Sequence, residues 1–175
     1  IWIVILDGTL VGLEYVASAI EDLVDTVKIV DLRYEKQPLS TFLDNKTDLV
    51  LVSHNWDAEE KFVKSIISDI PANKTVIVGG RYATAHVDEL FNYIPRIDGI
   101  VRCDGEETVR EIVRKGISAD IDGLSFRLKG KIVHNHNKQL EPVRSDFFPN
   151  RKLRRYKYLV ALEGFTTDIQ MDLMF

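Results

Sequence analysis

Short β-branched apolar runs alternate along this chain with amphipathic stretches, and that alternation restricts it to βαβ units around a parallel sheet. The runs Trp2–Leu6, Val27–Asp31, Leu49–Ser53, Thr75–Val78 and Gly99–Arg102 read as strands apolar enough to be covered on both faces. Helical periodicity marks Val11–Leu23, with Leu13, Val16, Ala17, Ile20 and Leu23 on one stripe. It marks Ala58–Ile70 as well, where Phe62, Ile66 and Ile70 recur at four-residue intervals, then His86–Tyr93, and finally Glu107–Lys115 with Val109, Ile112 and Val113 facing inward. Pro38–Phe42 leaves room for one or two turns at most. The pattern predicts a flavodoxin-like, doubly wound five-stranded parallel sheet of order 2-1-3-4-5.

After Gly116 the pattern changes. Gly123–Leu128 and Lys131–His134, joined at Lys129-Gly130, predict a β-hairpin packed at the side of the sheet. Glu141–Asn150 carries two prolines without periodicity and reads as a linker. Tyr158–Phe175 holds strand-like pieces with no evident partner. The boundaries expected are 1–118 for the α/β domain, 119–140 for the hairpin extension and 141–175 for a linker and the start of a further domain.

Composition narrows the function. A net charge of -4 gives no electrostatic footprint for nucleic acid, and the basic run Arg151–Lys157 reads as a solvated linker or interface. One cysteine, Cys103, excludes an internal disulfide and any multi-thiolate metal site. No apolar run is long enough to span a bilayer and no signal peptide is visible, so no membrane partner and a cytoplasmic setting are expected. The chain opens inside the strand-like run Ile1–Leu6, which predicts native residues ahead of it.

Ligands of such sheets bind at the carboxyl ends of the strands. That rim is built by Asp7–Val11, Ser53–Trp56, Gly79–Ala83 and Cys103–Glu106. Gly79-Gly80 either lets a ligand approach the backbone or serves a tight turn of its own. Glu107 and Thr108 read as helix-opening residues and Cys103 as a small buried apolar side chain. His54 reads as a solvated loop histidine, and His134 with His136 as neighbours on an exposed strand face. A phosphate loop, a dinucleotide fingerprint and a serine elbow are all absent. Flavin binding is weakened by the lack of a Ser/Thr-rich loop after the first strand, and a phosphoreceiver by Ser53 where an aspartate is needed.

Three segments in order, VGGRYAT at Val78–Thr84, DGIVRCDGEET at Asp98–Thr108 and GLSFRLKGKIV at Gly123–Val133, make the chain resemble the N-terminal cobalamin-binding domain of B12-dependent radical SAM proteins. The family's G-E-G-E stands here as Cys103-Asp104-Gly105-Glu106. The resemblance implies a cobalamin pocket formed by Asp7, Gly8, Thr9, Leu10 and Val11, by Ser53 and His54, by Gly79, Gly80, Arg81 and Tyr82, and by Asp104, Gly105 and Glu106. The D-x-H-x-x-G motif is missing, which implies base-off cobalamin without a protein histidine on cobalt. The C-x-x-x-C-x-x-C motif is missing too, so an iron–sulfur cluster and S-adenosylmethionine are expected only in a radical SAM domain following in cis, near whose start Asp168–Phe175 would lie. The chain by itself is then no enzyme. It holds the corrinoid for methyl transfer or related radical chemistry. The alternative is a degenerate module with a structural or interaction role.

Overall fold

The computed structural model describes residues 2–5, 11–32, 34–138, 148–153, 160–162 and 165–167. Its core is a mostly parallel sheet flanked by helices. Strands β1 (Trp2–Ile5), β2 (Lys28–Asp31), β3 (Leu49–Ser53), β4 (Thr75–Gly79) and β5 (Gly99–Val101) are parallel neighbours in the order β2-β1-β3-β4-β5. Helix α1 (Val11–Ile20), extended by a 3₁₀ turn at Glu21–Leu23, follows β1. A single 3₁₀ turn, Leu39–Thr41, is all that the second crossover forms. Helix α2 (Glu60–Asp69) follows β3, the pair α3 (Arg81–Ala85) and α4 (Val87–Tyr93) follows β4, and α5 (Glu106–Lys115) follows β5.

Side chains on successive strand residues point to opposite faces, and each face has its own core. Val50, Val52, Val76, Val78 and Ile100 pack under α2, α3 and α4 with Val63, Ile67, Leu90 and Phe91. Leu49, Leu51, Ile77 and Val101 pack under α1 and α5 with Ala17, Ile20, Val109 and Ile112. On α2 the inward stripe is Val63, Ile66, Ile67 and Ile70, whereas Phe62, expected on it, is exposed. Four-residue spacing alone drifts around a helix of 3.6 residues per turn, and Val63 and Ile67 lie nearer the centre of the apolar face.

The hairpin, expected at the side of the sheet, extends it. Strand β6 (Leu124–Leu128) pairs antiparallel with β5, and β7 (Lys131–His134) pairs with β6, giving a seven-stranded sheet. Lys129 and Gly130 both have positive φ, 49° and 80°. That is the backbone twist a two-residue hairpin loop requires. Arg102 donates to Asn137 Oδ1 at 2.6 Å and to the carbonyl of Asn135 at 2.6 Å, clamping the chain beyond β7 onto the end of β5. His134 contacts Ser125 Oγ at 3.0 Å and Asp88 at 3.2 Å, whereas His136 lies past the end of β7. The two histidines therefore do not alternate along one strand face as the sequence suggests, because the strand ends first.

The segment around Asn150 returns to α1, where its N–H donates to Ser18 Oγ at 2.6 Å and its side-chain amide donates to Glu21. Strands β8 (Val160–Leu162) and β9 (Phe165–Thr167) pair with each other in a separate two-stranded sheet. Of the basic run, Arg151–Leu153 forms a 3₁₀ turn and the remainder lies outside the described residues.

Because β6 covers β5, the hairpin is integral to the core. Ile121, Leu124 and Phe126 are buried, each contributing about 1.5–3 kcal/mol. Together they are comparable with the whole stability of an ordinary domain, about 5–15 kcal/mol. A chain ending at Ser118 should therefore lose cooperative unfolding and aggregate through the bared β5 edge; thermal circular dichroism and sedimentation check this.

Candidate functional site

The carboxyl ends of β3, β4 and β5 converge through backbone contacts. Ser53 is paired with Gly79, and the His54 N–H donates to the Gly79 carbonyl at 2.8 Å. Gly80 then turns back over the β3 loop with φ 111°, so close that a Cβ on it would stand 2.6 Å from the His54 carbonyl oxygen and 2.8 Å from Asn55 Oδ1. This glycine is required by the turn itself. Gly79 differs: its Cβ would meet nothing nearer than the Val101 carbonyl, at 3.7 Å.

Side chains fix the same loops. Asn55 donates to Ser53 Oγ at 2.8 Å and accepts the Arg81 N–H at 3.1 Å, while the Glu59 carboxylate accepts the N–H groups of Asn55 and Trp56. Thr84 Oγ1 donates to the Gly80 carbonyl at 2.9 Å and accepts the Cys103 N–H at 3.0 Å, joining the β4 loop to the β5 loop. Cys103 has φ 60°. It holds the left-handed shape glycine adopts most easily, at a position where the family resembled has glycine.

These loops and the start of α1 enclose a cleft of about 330 Å³. Its floor is apolar, formed by Leu51, Ile77 and Val101 of the sheet, Val16 of α1 and Val109 of α5. Its rim is polar, with Ser53, Asn55, Trp56 and Arg81 on the β3–β4 side and Cys103, Asp104 and Glu106 on the β5–α5 side. Of the residues expected at the site, Ser53, Gly79, Gly80, Arg81, Asp104, Gly105 and Glu106 come together here. Asp7, Gly8, Thr9 and Leu10 lie outside the described residues, and Val11 opens α1. The walls supplied by Gly12, Leu13, Val16 and Val109 were not singled out from sequence, because the last three belong to stripes that also build the core. Their places near the amino ends of α1 and α5, the ends facing the rim, were the available signal.

His54 and Tyr82 are not on the wall of this cleft. His54 is buried, not solvated as its polar loop suggests. Its ring lies 4.5 Å from that of Tyr82, which stacks in turn on His86 at 4.3 Å. The His54 Nε2 stands 3.0 Å from the Trp56 carbonyl, while Nδ1 is buried without a partner. Burial pushes the His54 pKa down and that of the Tyr82 hydroxyl up. No cluster of His, Cys, Asp and Glu among the described residues could hold a metal ion.

Burial also pushes the Glu106 carboxyl above its ordinary range. The folded state thus favours the protonated form, so this group's contribution to stability is full below about pH 4 and is lost as pH rises through the raised value.

No protein-family model matches the chain, and no curated protein matches it. Among solved structures it is similar to the radical S-adenosylmethionine methyltransferase TsrM from Kitasatospora setae, determined with cobalamin and a 4Fe–4S cluster bound. The TM-score is 0.64 at 20% identity, over 87% of this chain and 31% of that one. The likeness establishes a shared fold, and this chain spans about a third of the length of that enzyme.

Two outcomes follow from the geometry. Gly80→Ala should lower stability by about 1–3 kcal/mol, whereas Gly79→Ala should change it far less, as denaturant unfolding would show. Glu106→Gln should be more stable than the unsubstituted chain at pH 7, and the gain should shrink to nothing by about pH 4. A pH series of melting temperatures reads it directly.

Proposed function

We propose that this chain is a cobalamin-binding module that holds a corrinoid for a radical SAM domain following it in cis. The observation that carries this reading is the apolar-floored cleft at the carboxyl rim of the sheet, where the loops of two of the resembling segments meet at its mouth. The third segment is the hairpin that completes the sheet beside them. A likeness in fold to a cobalamin-bound enzyme supports the same reading.

The residues fit the cofactor. A Cβ on Gly12 would meet nothing within 4 Å, and one on Gly79 would make only ordinary contact with the Val101 carbonyl at 3.7 Å, so the nucleotide tail can pass close to the backbone. The flat aromatic face of the base at its end would lie on Leu51, Ile77 and Val101, apolar side chains that gain from being covered. Ser53 and Asn55 would present hydrogen-bonding groups at the mouth. The missing D-x-H-x-x-G motif is the ground for reading the bound form as base-off, without a protein histidine on cobalt. Cys103 keeps glycine's backbone shape, which supports a retained site over a degenerate one.

When bound, the corrinoid would supply a cobalt centre able to carry a methyl group, and the chain's part is to bind and orient it. One cysteine cannot hold an iron–sulfur cluster, so the cluster and S-adenosylmethionine belong to the following domain, which would also choose the substrate. Among the described residues no helix is long and apolar enough to cross a membrane. We place the module in the cytoplasm.

Titrating hydroxocobalamin with the purified chain should shift its absorbance toward the base-off form. Gly79→Leu or Gly12→Leu should weaken binding at least about tenfold while the melting temperature stays close to that of the parent. A flat titration well above micromolar concentrations, with folded protein, overturns the proposal in favour of the degenerate module.

A further inference from the structure

The rim of the cleft is asymmetric in charge. Asp104 and Glu106 stand on the β5–α5 side, and Arg81 is the single cation among the described residues lining the cleft. No carboxylate among those residues neutralises it. Its guanidinium carbon lies 5.4 Å from the centroid of the Trp56 ring, and its backbone N–H donates to Asn55 Oδ1. An arginine held by an aromatic face keeps its full charge and its fork of donors for a ligand. Trp56 remains half exposed on a loop pinned by Glu59 and Asn55. Trp56 and Arg81 thus stand together on the rim of the apolar cleft, a concave site with a few polar groups at its mouth.

We propose that Arg81, oriented by Trp56, is an anion subsite of this cleft and recognises the phosphodiester of the corrinoid's nucleotide tail. The inference rests on the cofactor reading above. With the base on the apolar floor, the phosphodiester of the same tail comes to the mouth. There it is repelled by Asp104 and by any ionised fraction of Glu106, and attracted to the guanidinium opposite. Arg81 would thereby fix the direction in which the tail enters, and would make the chain select complete cobalamin over corrinoids that lack the tail.

The test compares cobalamin with cobinamide, which has no nucleotide tail, and offers inorganic phosphate and adenosine monophosphate as separate ligands. The unsubstituted chain should bind cobalamin more tightly than cobinamide. Arg81→Gln should weaken cobalamin about tenfold, leave cobinamide unchanged and flatten the salt dependence of Kd. Arg81→Lys should recover part of the loss, and Trp56→Ala should lose part of it. Arg81 is exposed, so these variants should fold normally, which melting curves verify. If the chain binds cobalamin and Arg81→Gln binds it equally well, the inference is overturned and the cofactor reading stands. If adenosine monophosphate binds tightly while cobalamin and cobinamide are not distinguished, the subsite serves free nucleotides and the inference is again overturned. If the folded chain binds no corrinoid, both fall together.

Discussion

Everything at the carboxyl rim depends on one close approach of backbone to backbone, that of Gly80 over the His54 carbonyl. Only a residue without a Cβ, at φ 111°, permits it. From that contact the β4 loop takes a fixed height above the β3 loop, which lets Asn55 bridge Ser53 to Arg81 and lets Thr84 reach Cys103. The cleft is thus walled by loops tied to one another through main-chain groups and through the side chains of Asn55 and Thr84, while Arg81 and Trp56 stand on its polar rim.

The same arrangement separates two kinds of residue that sit side by side in the sequence. His54 and Tyr82 support the rim from a stack of rings, with the His54 ring buried and its pKa pushed down by that burial. Their immediate neighbours Ser53, Asn55 and Arg81 face the cleft. Glu106 stands between the two roles, on the cleft wall and at the first turn of α5, where burial works against its charge and the helix amino end favours it. Buried and cleft-lining residues are interleaved at single-residue intervals because each loop follows a strand whose side chains alternate between faces.

Sequence reasoning reached the fold because the unbroken apolar runs Leu49–Val52 and Val76–Val78, buried at every residue, leave little alternative to a sheet covered on both sides. It placed the rim loops as well, since strand ends and glycine pairs are local signals. Three things were not legible. The exposure of Phe62 depends on the rotation of α2 against the sheet, which spacing defines only to within a side chain. The burial of His54 depends on Tyr82 and on the β4 loop packing over it, contacts distant in sequence. The absorption of the hairpin into the sheet depends on β5 having an open edge, which only the assembled topology creates. Gly80 was legible as a special position without revealing whether ligand or backbone demanded it; the distance to His54 answers for the backbone, and leaves Gly79 as the glycine a ligand could use.

The central claim is one of place: a corrinoid sits at the rim where the β3, β4 and β5 loops meet. Backbone amide exchange, followed by mass spectrometry with and without saturating hydroxocobalamin, maps that place directly. The account predicts slower exchange confined to Ser53–Trp56, Gly79–Thr84 and Cys103–Glu106, with the hairpin Leu124–His134 unchanged. Protection concentrated on the hairpin or on the outer face of α2, with those rim loops unaffected, would contradict it.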